Sequence, residues 1–253
     1  MYRVDDFLKP VERPVLFQGA MVGALLAGTK TQTRRIIKDQ SIGERFSHMT
    51  DDGRAHLEWL GTPCCGTGVW DVPEYNAQVS CPYGQPGDRL WVRETFYAFG
   101  RWETRFSAEK GRDEWHFIDM TLECWHAYHY DVEDPVKIIG AKGRGGATPM
   151  WWKRPAIFMP RAACRILLEV TEVRVQRLQD ISEADAIAEG IEPNPAWIGT
   201  YRDYSVERER QVWNLDPVAS YRTLWDSING KTPGAAWADN PWVWAVSFMR
   251  VTS

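Results

Sequence analysis

The first regular pattern of hydrophobic and polar positions lies between residues 13 and 37. The segment RPVLFQ, Arg13 to Gln18, has the short apolar run of a strand, and GAMVGALLAG, Gly19 to Gly28, has the small and apolar residues of a buried helix. Gly28 is placed to end that helix in a left-handed cap. β-branched residues in TQTRRII (31–37) then predict a second strand.

Alternating apolar positions predict three more strands. The first, from Arg89 to Phe96, follows the turn residues of GQPGD. In RILLEVTEVRVQRL, one strand face carries Ile166, Leu168 and Val170, followed after a bend or bulge by Val173 and Val175. The last segment, NPWVWAVSFMRV, carries on one face Trp242, Trp244, Val246 and Phe248.

Two helices have clear start and stop signals. DISEADAIAEGI predicts a short helix with Ser182 as its N-cap, Asp185 in the manner of a capping box and Gly190 as its stop. DPVASYRTLWDSING predicts a longer helix with Pro217 in its first turn and its end at Gly230.

Between these elements, Lys38 to Pro86 and Gly100 to Pro149 show little periodicity. We expect two loop-rich insertions, at about 38–86 and 100–150, with a hairpin near Asp52-Gly53 in the first. Strands outnumber helices, which predicts an α+β fold with one curved sheet or small barrel. A chain of 253 residues fits one large domain, 1–253, that contains these insertions.

Composition narrows the class of protein. The 14 tryptophans predict either an aromatic core or platforms for flat ligands. A net charge of -4 argues against a protein that coats long nucleic acid. Five cysteines without a signal-like amino terminus fit the reducing cytoplasm, and no apolar run reaches the ~18 residues needed to span a membrane. We therefore expect a soluble cytoplasmic protein.

Lys30 and Thr33, in GTKTQTRR, form the sharpest candidate pair. A threonine hydroxyl becomes a nucleophile when a base takes its proton, and a lysine is such a base when burial or a nearby cation lowers its pKa. Arg34 and Arg35 supply cations. Residues three apart point to opposite faces of an ideal strand, so the pairing requires Lys30 in the turn and Thr33 in the strand. The alternative is a solvated turn lysine beside strand threonines.

Glu189 is a second candidate. It is the last charged residue before Gly190, at a helix end where the dipole disfavours a carboxylate. Such a violation of local preference sometimes marks a functional residue, and the alternative is an ordinary surface glutamate.

Basic and aromatic residues also occur together in a way that suits a base and its phosphate. The basic residues are Arg89, Arg93, Lys153, Arg154 and Arg161, and the aromatic ones are Trp91, Trp151, Trp152 and Phe158. The alternative is a set of amphipathic side chains at strand edges.

A zinc site is not expected. The conceivable ligands are Cys64, Cys65 and Cys81 with His48 and His56, but they contain no C-x-x-C pair, and adjacent cysteines rarely share one ion. No phosphate-binding loop, dinucleotide fingerprint or H-E-x-x-H helix is present. We therefore expect neither a metal nor an organic cofactor.

The segment LLAGTKTQTRR resembles the amino-terminal signature of the ASCH domain family, which has a β-barrel related to the PUA RNA-binding domains. The segments GDRLWVRE, EADAIAEGI and PWVWAVSF also resemble the family pattern. The longer frame is similar to ASCH proteins of phages and prophages over nearly the whole chain. The resemblance implies a PUA-like barrel flanked by helices.

Within this family, N4-acetylcytidine amidohydrolases use a lysine and a threonine of a K-T-x-T segment and a later glutamate. The resemblance implies Thr33 as nucleophile, Lys30 as its base, and Glu189 as the group that orients or protonates the leaving side. The implied reaction removes an acyl group from the exocyclic N4 of cytidine or a related nucleoside. The residues expected to bind this small-molecule substrate are Arg34, Trp91, Arg93 and Arg161.

Two other functions stay open. Small family members have about the size of the core alone, whereas this chain has two long insertions, and other members bind or cleave RNA. The second hypothesis is a module for single-stranded RNA, or a metal-independent ribonuclease, that uses Arg34, Arg93 and Arg161 against phosphates. The third is a phage structural or regulatory protein that keeps the barrel without the chemistry.

Overall fold

The computed structural model describes residues 10–38, 40, 45–49, 54–58, 76–132, 148–207, 210 and 212–251. The chain forms two compact units. The first unit contains Met1–Arg13, Ala24–Leu90 and Leu167–Ser253, and the second contains Pro14–Gly23 and Trp91–Ile166.

The described elements are mostly strands. In chain order they are β1 (Glu12–Leu16), α1 (Gly19–Leu26), β2 (Gln32–Ile36), β3 (Arg45–Met49), β4 (Arg54–Glu58), β5 (Asn76–Ser80), β6 (Arg89–Arg93), β7 (Phe96–Ser107), β8 (Arg112–Asp119), β9 (His129–Tyr130), β10 (Met150–Arg154), β11 (Leu167–Arg177), α2 (Glu183–Ala188), β12 (Tyr201–Arg202), β13 (Trp213–Asn214), α3 (Pro217–Asn229) and β14 (Trp242–Arg250). Of the helices in this part of the chain, none combines the length and apolar character that a membrane crossing requires.

The strands form four sheets. The largest has the order β1-β6-β11-β14-β2, and the others are β3-β4-β5, β10-β7-β8 with β9 on β7, and β12-β13. The fold is therefore a mixed α+β fold dominated by sheets, as the sequence predicts. Over the described residues these sheets are open and no barrel closes.

The antiparallel pair β11 and β14 is the centre of the first unit. Its register shifts between Val170 and Glu172, which confirms the bulge expected before Val173. Because the bulge changes the alternation, Val170 and Val173 are both buried although they lie three positions apart. Trp244, which pairs with Val175, is 1% exposed and anchors the core.

Local signals place the helices correctly. Ser182 accepts a hydrogen bond from the backbone of Asp185 and caps α2, and Asp216 caps α3 by accepting from Val218. Gly28 and Gly190 have φ of +73° and +80°, the left-handed conformation that glycine adopts without strain. The predicted helix ends are therefore confirmed.

The expectation of irregular structure from Gly100 to Pro149 is wrong for its first part. β7 and β8 form a long antiparallel hairpin, paired from Gly100 with Asp119 to Ser107 with Arg112. In the outer half of β7 only Trp102 and Phe106 are apolar and Thr104 separates them, so the alternation is too short to distinguish a strand from a loop. The predicted strand from Arg89 to Phe96 is likewise two strands, since β6 ends at Arg93.

The first predicted insertion also contains regular structure. β3 pairs with β4 and β4 with β5, both antiparallel. The hairpin expected near Asp52-Gly53 agrees with the pairing of β3 and β4, while these two residues themselves lie outside the described part of the chain.

Candidate active site

The backbone around Gly28 positions Lys30 at the start of β2. Thr29 and Lys30 both donate backbone hydrogen bonds to the carbonyl oxygen of Ala24, at 3.0 and 3.2 Å, which folds the chain back over the end of α1. Thr31 donates to the carbonyl oxygen of Ala188 at 2.8 Å and so joins this turn to the end of α2. Two segments that are far apart in sequence meet here.

The side chain of Lys30 is completely buried. Its Nζ donates to the carbonyl oxygens of Gln32 at 2.8 Å and Glu189 at 2.7 Å, and to Oε2 of Glu189 at 2.9 Å. These three acceptors match the three protons of an ammonium group. The solvated turn lysine considered above is therefore excluded.

Glu189 lies between two cations. Its Oε2 binds Lys30, and its Oε1 accepts from Arg34 Nη1 at 3.2 Å and from the Tyr221 hydroxyl at 3.4 Å. The residue is 3% exposed, so it is not an ordinary surface glutamate. The cations offset the unfavourable helix-end position that the sequence indicates.

Arg34 links this ion pair to a second carboxylate. Its Nη2 donates to Asp185 Oδ2 at 2.9 Å, and Asp185 also accepts from Arg174 at 3.1 Å. Arg34 is 3% exposed, and its guanidinium carbon lies 5.9 Å from the ring centroid of Tyr221. These hydrogen bonds go to protein groups, so a contact between Arg34 and a substrate would require the guanidinium to share them.

The pKa values of Lys30 and Tyr221 are shifted in opposite directions. Burial lowers the pKa of Lys30, Glu189 counteracts this effect, and Arg35 and Arg34 lower the pKa further, with a net decrease. Burial and the carboxylate of Glu189 raise the pKa of Tyr221 well above its ordinary value. Tyr221 therefore remains a neutral hydrogen-bond donor across the physiological pH range.

Thr33 lies inside β2, opposite Val246, and is 3% exposed. Gln32 and Arg34 are hydrogen-bonded to each other along one face of β2, so alternation directs the side chain of Thr33 to the other face. Lys30 is in the turn and Thr33 in the strand, as their pairing requires.

The ammonium of Lys30 lies at the edge of β2. Because Phe248 donates to the carbonyl oxygen of Thr31, and successive carbonyls of a strand alternate in direction, the Gln32 carbonyl points away from β14. Lys30 binds this Gln32 carbonyl. The ammonium is thus beside the strand, at the Gln32 carbonyl and Glu189.

No protein-family model, curated protein or solved structure matches this chain. The chemistry of the cluster has to follow from its own residues, distances and charges. Those residues include two buried cations, one buried carboxylate and a neutral phenol within one hydrogen-bonded network.

The other three expected substrate residues belong to the second unit. The guanidinium carbon of Arg93 lies 5.1 Å from the ring centroid of Trp91, and Arg93 donates two hydrogen bonds of 3.2 Å to the carbonyl oxygen of Met159. Arg161 is exposed and begins a short 3-10 turn, Arg161–Ala163. The guanidinium of Arg93 therefore packs on the ring of Trp91 within the second unit.

Sequence reasoning missed several members of the cluster. Tyr221 reads as one of the apolar positions of α3, and Gln32 reads as an ordinary polar residue between two threonines. The available signal was the polar character of Gln32 and Arg34 in a strand that is buried on both faces. Asp185 was expected to serve the helix cap, but its carboxylate binds Arg34 and Arg174.

Among the described residues, no group of three or more His, Cys, Asp or Glu side chains is arranged to hold a metal ion. Cys64 and Cys65 lie outside the described part of the chain, as do the side chains of His48 and His56. Cys81 is buried, and burial raises its pKa to about 11, which keeps it a neutral thiol.

Proposed function

We propose that this protein is an amidohydrolase that removes an acyl group from the exocyclic N4 of cytidine or a related modified nucleoside, in an ASCH-like domain of PUA-like type. The buried pair of Lys30 and Glu189 is the observation that carries the proposal. These residues are 159 positions apart, yet the fold joins them by two hydrogen bonds in a site from which water is largely excluded.

Thr33 is the proposed nucleophile. Its Oγ1 forms a bond to the acyl carbon while its proton passes to Lys30. The bond between the acyl carbon and N4 then breaks, and N4 takes the proton from Lys30, which releases cytidine and leaves an acyl-threonine. Water hydrolyses this ester to a carboxylic acid and free Thr33, so no metal or cofactor takes part in the scheme.

The proposal requires a lysine that gives up its proton more easily than usual. Burial and the neighbouring Arg34 and Arg35 act in this direction, and the net pKa of Lys30 is lowered. Glu189 holds the ammonium in place and is the proposed group that orients it toward the leaving side. Tyr221 and Arg34 hold the carboxylate of Glu189 in position.

The decisive experiment follows the release of cytidine from N4-acetylcytidine by chromatography. We expect the parent protein to release cytidine, and Thr33→Val and Lys30→Met to lower the rate at least about a hundredfold. Thr31→Val is the matched control, because Thr31 is an exposed threonine of the same segment and should keep nearly full activity. Full activity of Thr33→Val would show that the mechanism is wrong. A folded parent without activity would contradict the proposed reaction and favour the RNA-binding hypothesis.

The pH dependence of kcat/KM tests the role of Lys30 separately. Neutral Lys30 is the proposed base, so kcat/KM should rise with pH to a plateau. The midpoint of this rise should lie below the ordinary pKa of lysine. The residual activity of Lys30→Met should lack this rise. A profile that is flat or falls from pH ~6 to ~9 would exclude Lys30 as the base.

A further inference from the structure

The β10-β7-β8 sheet of the second unit has an aromatic face. Trp102 pairs with Phe117 and Thr104 with Trp115, and since every second residue of a strand shares a face, all four side chains lie on the same side. Arg154 of β10 pairs with Phe96, six positions before Trp102, and therefore belongs to this face as well.

A cavity of about 580 Å³ opens on this face. Its lining includes Trp102, Trp115, Phe117, Lys153, Arg154 and Phe158. The volume falls within the range of small-molecule sites, about 300–1,000 Å³. Among the described residues of the lining none is a carboxylate, so its formal charge is positive.

The guanidinium of Arg154 is held among three aromatic rings. Its central carbon lies 4.7 Å from the ring centroid of Trp102, 4.5 Å from that of Phe117 and 4.9 Å from that of Phe158. Arg154 is 9% exposed, so its charge is fixed in the cavity wall. Lys153 pairs with Tyr97, so its side chain lies on the opposite face of the sheet, where it donates to Asp131 at 2.7 Å.

The aromatic residues Trp115 and Phe158 remain accessible. Trp115 is 41% exposed and Phe158 is 59% exposed. Large aromatic side chains that are exposed next to fixed cations form the arrangement in which a flat ring stacks and an attached anion is neutralised.

We propose that this cavity binds a nucleotide unit, with its base stacked on the accessible aromatic side chains and its phosphate held by Arg154. Such a unit is either a free mononucleotide or part of a single-stranded RNA. The site lies wholly within the second unit, and its residues are separate from Lys30, Thr33 and Glu189. It therefore stands whether or not the proposed amidohydrolase activity is found.

Isothermal titration calorimetry of the full chain tests this site. The probes are cytidine and adenosine 5′-monophosphates, the two nucleosides, inorganic phosphate and a short single-stranded oligoribonucleotide. We expect the mononucleotides to bind with a submillimolar Kd, at least about tenfold more tightly than the nucleosides or phosphate alone, because ring and anion are recognised together. The affinity should also fall as salt rises.

Matched pairs of variants test whether the nucleotide binds in this cavity. Phe158→Ala and Trp115→Ala should each weaken binding about tenfold, whereas Phe106→Ala, which removes a phenylalanine that is 69% exposed outside the cavity, should not. Arg154→Gln should weaken binding and reduce its salt dependence. Lys153→Gln is its control, since Lys153 is the neighbouring cation but its side chain lies on the opposite face of the sheet and is paired with Asp131.

The outcomes separate the two sources of the ligand. If the oligoribonucleotide binds at least about tenfold more tightly than a mononucleotide, the ligand is single-stranded RNA. If the two affinities are equal, the ligand is the free nucleotide. Both results support the site. Absence of binding by every probe up to about 5 mM overturns the proposal. Binding that Phe158→Ala and Trp115→Ala leave unchanged overturns it equally.

Discussion

Replacing Glu189 with glutamine is expected to lower the free energy of unfolding by about 3–5 kcal/mol, as for other buried ion pairs that lose one partner. The substitution keeps the shape of the side chain but removes the charge that lies 2.9 Å from Lys30 Nζ and 3.2 Å from Arg34 Nη1. Both cations are buried, so water cannot replace the lost carboxylate. Chemical denaturation of the variant and the parent measures the difference.

A surface pair provides the control for Glu189→Gln. Arg101 and Glu103 are bridged at 2.6 Å, but their side chains are 40% and 37% exposed. Glu103→Gln should therefore change the stability by less than about 1 kcal/mol. An equally small effect of Glu189→Gln would contradict the buried network described here.

The pH dependence of the Glu189→Gln variant gives an independent signature. Without the carboxylate, burial lowers the pKa of Lys30 in the folded state further below its value in the unfolded chain. The unfolded chain then binds more protons than the folded one, so the stability of the variant should rise with pH up to about 10.4, the pKa of a free lysine. Combining Lys30→Met with Glu189→Gln should abolish this rise.

Replacing Gly190 with alanine is expected to destabilise the protein by about 3 kcal/mol. Its φ of +80° already disfavours a side chain, and a Cβ there would lie 2.8 Å from Cβ of Lys30 and 3.1 Å from Cβ of Ala24. The left-handed conformation costs about 1–2 kcal/mol, and the overpacking adds about 1–3 kcal/mol. Because the clash displaces Lys30, deacylation should fall as well.

Gly28→Ala separates the two effects. Gly28 has a similar φ of +73°, but a Cβ there would meet no atom of the described neighbouring residues within 4 Å. Its substitution should therefore cost only the conformational strain, about 1–2 kcal/mol. Thermal denaturation of both variants measures the difference, and equal losses would show that the contact with Lys30 costs nothing.

The elements with local signals were predictable from the sequence. Ser182 and Gly190 mark the start and the end of α2. The alternation in β11 indicates both the strand and the bulge after Val170. The hairpin of β7 and β8 was not predicted, because the outer half of β7 has only two apolar residues, Trp102 and Phe106, and so short an alternation does not distinguish a strand from a loop.

The candidate site was predictable only as separate residues. Lys30 and Glu189 could be named because one lies in an unusual basic segment and the other at an unfavourable helix end. Nothing in either segment shows that Glu189 binds Lys30 and Arg34 together, or that Tyr221 donates to the same carboxylate. Residues separated by more than a hundred positions leave no joint pattern in one sequence.

The sequence by itself determined the helix caps, the turn at Gly28 and the alternating core strands, because each depends on contacts within a few residues. Only the tertiary structure decided which charges are buried and which partners they have. The hydrogen bond from Thr31 to Ala188 brings α2 to the edge of β2 and so encloses Lys30 with Glu189. Burial then lowers the pKa of Lys30, since a charge loses its hydration only when the whole fold surrounds it.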